Sequence, residues 1–213
     1  LVLNSVYLIS RPIENVPWAF YEEFLPAEAR RDGTAGRYAS SVRTAVPICM
    51  GDYFRGYRVV GTNRAYFERL SAGDGRPFTF AAGTNFRDDD LYTAVIGAEV
   101  AAKLGLAVGD GIAPQHGADP TKIHDPFRVT GILARTGTPV DRGVYVNMEG
   151  FYLQDGHAKP PGEGAAAATE APAPGLLPYA EREVTAILVE TAAPPGLPPE
   201  LMAMDVMRKR ALR

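Results

Sequence analysis

Three histidines are the side chains of this sequence best suited to binding a metal. His116 and His124 flank Asp119 in one predicted loop, Asp125 follows directly, and His157 lies further along the chain. A protein metal site needs three or four ligands that converge on one point, which this loop could supply only by folding tightly on itself. Histidines in a solvated loop are the favoured interpretation, and whether His116, His124 or His157 binds a metal stays open.

Cys49 is the only cysteine, so an intrachain disulfide is excluded. It lies among apolar neighbours in the segment AVPICMGDYF, which predicts a buried, unreactive thiol. A hydrolase that used Cys49 as its nucleophile would need a histidine brought close by the fold, and no sequence pattern indicates one. The acidic run from Asp88 to Asp90 lacks the alternate spacing of a calcium-binding loop and is predicted to be a solvated turn.

The glycines from Gly131 to Gly137, in GILARTG, resemble a phosphate loop only superficially. The lysine and the following Ser or Thr of a P-loop are missing. The patterns G-x-S-x-G and H-E-x-x-H are missing as well. The sequence therefore predicts a protein that is not an enzyme, with no catalytic, cofactor-binding or metal-binding residue and no cofactor. It also predicts that the chain neither binds nor hydrolyses ATP.

Size and composition are those of an ordinary globular protein. The 213 residues are 46% hydrophobic and carry a net charge of -3. That is enough chain for one large or two small domains, without the basic surplus of a nucleic-acid-binding protein. No run approaches the roughly 18 apolar residues of a membrane helix. The chain starts at Leu1 without the features of a signal peptide, and we expect a soluble piece of a longer protein.

Hydrophobic periodicity and turn residues predict strands and helices in a mixed order. The predicted strands are Leu1–Ile9, Val42–Met50, Tyr57–Thr62, Tyr92–Ile96, Phe127–Leu133, Val144–Met148 and Glu183–Thr191. The predicted helices are one that starts near Pro17 and runs toward Gly33, Asn63–Leu70 with Asn63 as its cap, Gly97–Leu104 ended by Gly105, and Leu201–Leu212.

Turns and loops are predicted from Gly, Pro and charged residues between these elements. Gly51 and Asp52 are expected to form a turn between two strands, and Asp141 and Arg142 are expected to pair in another turn. Residues 156–178 are rich in Gly, Pro and Ala and show no periodic apolar face. They are predicted to be mobile, or ordered only by accessory contacts, because they bury too little apolar surface to offset the entropy of ordering.

Five pieces follow one another in a fixed order and carry a family resemblance. They are VVGT-x-x-x-YF, G-x-E-V-A-x-x-L-G-L-x-V-G-D, F-x-V-x-G-I-L, T-G-T-P-x-D-R and V-x-V-x-M-E-x-F-Y, which lie at 59–67, 97–110, 127–133, 136–142 and 144–152. Each piece is a weak motif, but their joint order and spacing resemble the extracytoplasmic domain of MacB/FtsX-type ABC transporter permeases. The resemblance covers about Ala45 to Leu153 and resumes at Glu183 to Thr191.

The resemblance implies a compound α/β (α+β) fold. A ferredoxin-like, porter-like subdomain is expected from residues 1–55 and 180–213, an inserted mixed, strand-rich subdomain from residues 56–155, and a flexible Ala/Pro/Gly-rich connection from residues 156–179. The chain ends are expected to lie close together, because in such permeases they continue into neighbouring membrane helices.

The resemblance also implies a function. Such a domain couples ATP hydrolysis in the cytoplasm to export of a substrate or lipoprotein by mechanotransmission, from the periplasmic side of the inner membrane. The implied partners are an ABC ATPase subunit or domain, reached through the full permease, and a periplasmic adaptor or lipoprotein. The full permease is expected to be a homodimer, and the isolated domain a monomer or weak dimer that binds no nucleic acid.

The main alternative is a stand-alone periplasmic module that binds a lipid or a small apolar ligand. The aromatic segment PWAFYEEF, with Trp18, Phe20, Tyr21 and Phe24, would suit such a ligand. Aromatic residues at this spacing more often belong to a hydrophobic core.

Overall fold

The computed structural model describes residues 2–4, 15–73, 75–117, 121–154 and 176–192, together with residues 201 and 204. Several expectations lie outside these residues: most of the 156–178 connection, most of the helix expected at 201–212, the ligands Asp119 and His157, and the proximity of the two chain ends. The described residues form a mixed α/β fold.

The strands follow one another along the chain with helices between them. They are β1 (Val2–Asn4), β2 (Val16–Pro17), β3 (Val42–Phe54), β4 (Tyr57–Thr62), β5 (Ser71–Ala72), β6 (Arg76–Pro77), β7 (Phe80–Gly83), β8 (Thr93–Ile96), β9 (Gly111–Ile112), β10 (Gln115–His116), β11 (Phe127–Leu133), β12 (Gly143–Asn147), β13 (Glu183–Val184) and β14 (Ala186–Thr191). The α-helices are α1 (Trp18–Glu22), α2 (Ala65–Arg69), α3 (Ala98–Leu104) and α4 (Met148–Tyr152).

The chain divides into two compact units. One combines the two ends of the chain, Leu1–Pro47 and Glu183–Arg213, and the other is the continuous segment Ile48–Arg182. We call them the terminal unit and the central unit. The subdomain boundaries expected from the sequence, at 55/56 and 179/180, stay a prediction.

The terminal unit is held together by strands from both ends of the chain. β14 lies between β1 and β3, and β1 pairs with it antiparallel, so that Val2 faces Leu188. β2 pairs antiparallel with β13. Phe24 and Tyr38 stack with ring centroids 4.8 Å apart, and both are buried, as is Tyr21. The aromatic segment that follows Pro17 therefore contributes to this core.

The first helix is shorter than expected. α1 ends at Glu22 instead of running toward Gly33. Pro26 explains the stop, since proline cannot donate the helical hydrogen bond and disfavours helical backbone in the residue before it. The chain continues as a single 3-10 turn at Ala27–Ala29.

The central unit contains a mixed sheet with strand order β3-β4-β12-β8-β11-β7. β12 runs parallel to β4, and β11 runs parallel to β8. One side of the sheet carries an aromatic cluster around Phe67 and Tyr145, whose rings meet edge to face at 5.2 Å. Tyr66, Phe67 and Leu70 all pack in this cluster, and Leu70 directly follows the last residue of α2. The helix begins one residue later than expected, and its N-cap is Arg64 instead of Asn63.

The connection between β3 and β4 differs from the expectation. The turn is made by Arg55 and Gly56, both with positive φ (47° and 83°), as a two-residue hairpin turn requires. β3 continues through Gly51 and Asp52, where a turn was predicted. Its register with β4 shifts at this point, between Met50 and Tyr53. A shift of this kind marks a β-bulge, which re-aims side chains, and Asp52 is fully buried.

Candidate functional site

Asp52, His116 and His124 lie together in the central unit, and we call them the Asp–His–His cluster. One ligand atom from each side chain lies within 4.8 Å of the others. The His116 Nδ1 atom is 3.5 Å from Asp52 Oδ1, and the His124 Nε2 atom is 3.4 Å from Asp52 Oδ2. The two imidazole rings meet edge to face, with centroids 5.6 Å apart. The carboxylate therefore lies within reach of both imidazoles.

The backbone fixes these positions by pairing. β10 pairs antiparallel with β3, which places His116 directly opposite Asp52. The chain then doubles back, since the backbone N–H of His116 donates to the Lys122 carbonyl at 3.0 Å and that of His124 donates to the Pro114 carbonyl at 2.9 Å. His124 is brought to Asp52 by this small antiparallel turn and not by sequence proximity.

Gly117 allows the turn to approach β3 closely. A Cβ atom at this position would overlap the carbonyl oxygen of Gly51, the residue before Asp52. Only glycine fits such a close approach of two backbones. The glycine therefore supports the position of the turn that carries both histidines.

The cluster is buried on one side and reaches solvent on the other. The side chains of Asp52 and His124 are 0% and 1% exposed, while that of His116 is 23% exposed. A carboxylate removed from water is costly unless cations or hydrogen-bond donors compensate its charge. Chemically, the three groups can act as a carboxylate with protonated imidazoles or as ligands of a cation.

Two expectations about these residues were wrong. His124 is a buried side chain and not a solvated loop histidine, and Asp52 is not a turn residue. Asp125, expected as a possible fellow ligand, is exposed, and its backbone N–H donates to the Gln154 side chain at 2.9 Å. The residue missed by sequence reasoning is Asp52, which lies more than sixty positions before His116. No local sequence pattern could have identified Asp52, because it meets the two histidines only through the bulge in β3 and the pairing of β10 with β3.

The Cys49 thiol is buried, which confirms the burial expected from its apolar neighbours. Its Sγ atom lies 3.4 Å from the hydroxyl of Tyr152. Burial raises the pKa of Tyr152, and the adjacent Cys49 raises it further. A neutral phenol therefore lies next to the thiol.

A buried ion pair lies elsewhere in the central unit. The Arg182 side chain is 1% exposed and lies 2.6 Å from Glu149 Oε1. Its Nε–H donates to the Leu177 carbonyl at 2.8 Å, and its guanidinium stacks on the Tyr179 ring at 4.2 Å. The pair therefore ties the segment before β13 to α4.

The acidic run is an exposed turn, as expected. Asp88 accepts the backbone N–H of Arg64, and Asp89 pairs with Arg87. The buried Asn147 lies behind the run, with its Nδ2 atom 3.1 Å from the carbonyl oxygens of Asp88 and of Asp90. The Asp90 carboxylate pairs with Arg128 at 3.3 Å, so each of the three carboxylates has its own local partner.

An open groove of about 500 Å³ lies on the central unit. Its residues are Tyr53, Gly56, Tyr57, Arg58, Val60, Tyr66, Pro139, Val140, Arg142, Gly143 and Tyr145. The Arg58 guanidinium lies over the Tyr53 ring at 4.6 Å, and burial raises the pKa of Tyr66 and of Tyr145. Neutral phenols and guanidinium groups suit stacking and hydrogen bonding more than acid–base chemistry.

The comparison with known families identifies the class of protein. The chain belongs to the MacB-like periplasmic core domain family, whose sequence model matches residues 6–193. The match confirms the resemblance that the ordered motifs indicated. A comparison with curated proteins gave no match.

The family defines an extracytoplasmic domain of an ABC transporter permease. Such a permease works with an ATPase partner and belongs to a transporter family, not to a classical enzyme family. Among the described residues, every helix is too short or too polar to cross a membrane.

Proposed function

We propose that this chain couples ATP hydrolysis in the cytoplasm to export on the periplasmic side of the inner membrane, by transmitting motion. The family assignment over residues 6–193 carries this proposal. In it, a homodimeric permease passes the motion of its membrane helices to this domain, which acts on a substrate, a periplasmic adaptor or a lipoprotein.

The path of the chain supports a mechanical role. The terminal unit is built from both chain ends, with β1 directly beside β14. A force applied at either end therefore enters through hydrogen-bonded neighbouring strands. The chain passes between the units twice, at 47–48 within β3 and at 182–183.

We further propose that residues 1–55 and 180–213 act as a ferredoxin-like subdomain that receives the motion. Residues 56–155 then act on the partner.

The experiment inserts a flexible linker into one of the two chain connections between the units, in the full permease. A Gly-Ser-Gly-Ser insertion between Arg182 and Glu183 should leave ATP hydrolysis by the reconstituted transporter close to wild type while export in cells falls, because motion reaches the central unit through a slack connection. The matched control is the same insertion after Gly33, an exposed turn residue with open space around it. The control should preserve both activities.

Thermal unfolding of the isolated domain checks that each insertion leaves the fold intact. Undiminished export with the insertion at 182/183, in a domain that melts normally, would contradict the mechanical role. Equal loss of export with both insertions would also contradict it.

A further inference from the structure

We propose that Asp52, His116 and His124 form a binding site for a divalent first-row transition metal such as Zn²⁺. The proposal concerns the central unit alone, and it does not depend on the transport function.

The spacing of the ligand atoms fits tetrahedral coordination. Zinc binds imidazole nitrogen and carboxylate oxygen at about 2.0 to 2.1 Å, which separates two ligand atoms of a tetrahedron by about 3.3 to 3.4 Å. The His116 nitrogen lies 3.5 Å from Oδ1 of Asp52, and the His124 nitrogen lies 3.4 Å from Oδ2. Each imidazole nitrogen is therefore about as far from its nearest carboxylate oxygen as two zinc ligands are from each other, and the ligand atoms all lie within 4.8 Å of one another.

The chemistry of the ligands favours a first-row transition metal over calcium or magnesium. Two imidazoles and one carboxylate suit zinc and other first-row transition metals, whereas calcium and magnesium prefer sites made of oxygen ligands alone. With neutral imidazoles the cluster carries one buried negative charge, which a divalent cation compensates. The 23% exposure of the His116 side chain leaves a path for the ion and for a water molecule as the fourth ligand.

The bound metal would cross-link two segments of the central unit. Asp52 belongs to β3, while His116 and His124 belong to the turn that Gly117 brings against β3. One ion that binds all three residues would fix this turn to the strand. Since the folded chain would bind the metal and the unfolded chain would hold no preformed site, binding should raise thermal stability.

The test uses the whole 213-residue chain, purified without a histidine tag and freed of metal by a chelator. Zn²⁺ titrated by calorimetry should bind with one equivalent per chain and raise the melting temperature. Co²⁺, which reports its coordination by visible absorption, should give the strong bands of a four-coordinate nitrogen and oxygen site. Since imidazole binds metal only when neutral, affinity should fall as the solution is acidified.

Matched variants locate the site. His116→Gln should weaken Zn²⁺ binding at least about tenfold and abolish the Co²⁺ bands, and Asp52→Asn should do the same. Asp125→Asn is the control, which changes an exposed carboxylate outside the cluster and should bind as wild type. Because Asp52 is fully buried, its variant could misfold, and His116→Gln, at the partly exposed position, then decides the question.

Two results would overturn the proposal. One is a wild-type chain that takes up no stoichiometric Zn²⁺, in which case the three residues form a metal-free hydrogen-bonded group. The other is a folded His116→Gln variant that binds Zn²⁺ as tightly as the wild type or the Asp125→Asn control.

Discussion

At the scale of single residues, the central unit buries charged groups and gives each of them specific partners. Asp141 was expected to pair with its neighbour Arg142, but it is buried and accepts hydrogen bonds from the Thr136 and Gly137 backbone at 2.8 and 2.9 Å. Arg142 instead pairs with Glu99 at 3.4 Å. The buried carboxylate thus organises the T-G-T-P turn.

The Asp141→Asn substitution should destabilise the chain in a pH-dependent way. Burial by itself would raise the pKa of Asp141, but the hydrogen bonds from Thr136 and Gly137 outweigh it and hold the pKa below its ordinary value. A lowered pKa adds stability above the unfolded-state value of about 3.9, and this stability is lost as the pH falls through the folded-state pKa.

At pH 7 the Asp141→Asn variant should lose about 1.5 to 3 kcal/mol, the range for hydrogen bonds to a charged group. Urea unfolding of both chains at pH 7, 5 and 3 measures the difference. The difference should persist at pH 5 and shrink at pH 3. A difference independent of pH would show that the ionised carboxylate is not the stabilising form.

The Arg182→Met substitution should cost about 3 to 5 kcal/mol, because it leaves the Glu149 carboxylate without the cation that it meets at 2.6 Å. Arg43→Met is the control. Arg43 meets Glu190 at a similar 2.7 Å, but the two side chains are 64% and 38% exposed, and surface pairs contribute about 0 to 1 kcal/mol. Urea unfolding of both variants tests the contrast, and equal losses would show that burial does not set the strength of the pair.

At the scale of elements, glycines mark where helix α3 begins and ends. Gly97 is its N-cap, and Gly105 its C-cap with φ of 66° in the left-handed region. The two glycines serve different physical needs. A Cβ atom at Gly105 would meet nothing within 4 Å, whereas one at Gly97 would overlap the Asp141 carbonyl oxygen. Gly105 is needed for its conformation and Gly97 for close packing.

Alanine at these two positions should therefore have unequal effects. Gly105→Ala should cost about 1 to 2 kcal/mol, the strain of a left-handed residue with a Cβ atom. Gly97→Ala should cost about 2 to 3 kcal/mol through overpacking, since the backbone of Asp141 must move. Thermal or urea unfolding measures both values. A larger loss at Gly105 than at Gly97 would reverse this assignment.

At the scale of the whole molecule, the aromatic segment after Pro17 packs largely within the terminal unit. Tyr21 and Phe24 are 4% and 1% exposed, and Trp18 meets Tyr21 edge to face at 4.7 Å. These residues are among those that the sequence suggested for an apolar ligand. Their packing inside the terminal unit favours the structural role.

We expect the isolated chain to be a monomer or a weak dimer. A stable homodimer usually buries about 1,200 to 2,000 Å² with an apolar centre. The large apolar side chains exposed on the described part of the central unit, Tyr92, Val108, Ile123 and Leu153, belong to different connecting segments. Sedimentation at tens of micromolar should show a monomer, alone or in exchange with a weak dimer, and a dimer that persists at nanomolar concentration would contradict this expectation.

Local patterns in the sequence determined many elements and the family. The alternation from Phe127 to Leu133 predicted β11 with its observed bounds, and Tyr57–Thr62 predicted β4 equally well. Gly105 was expected to end α3 with a positive φ, and it does. These features depend on side-chain periodicity and on the backbone freedom of glycine, which act within a few residues. The order of such pieces was also enough to indicate the permease family.

Only the tertiary structure decided which distant residues meet. The bulge in β3 turned Asp52 inward, and the pairing of β10 brought His116 opposite it. Likewise, hydrogen bonds across the T-G-T-P turn gave Asp141 other partners than Arg142. Strand register and bulges are settled by pairing between segments far apart in the chain, because a shift by one residue moves a side chain to the other face of the sheet. The Asp–His–His cluster depends on that register, and no stretch of the sequence read by itself contains it.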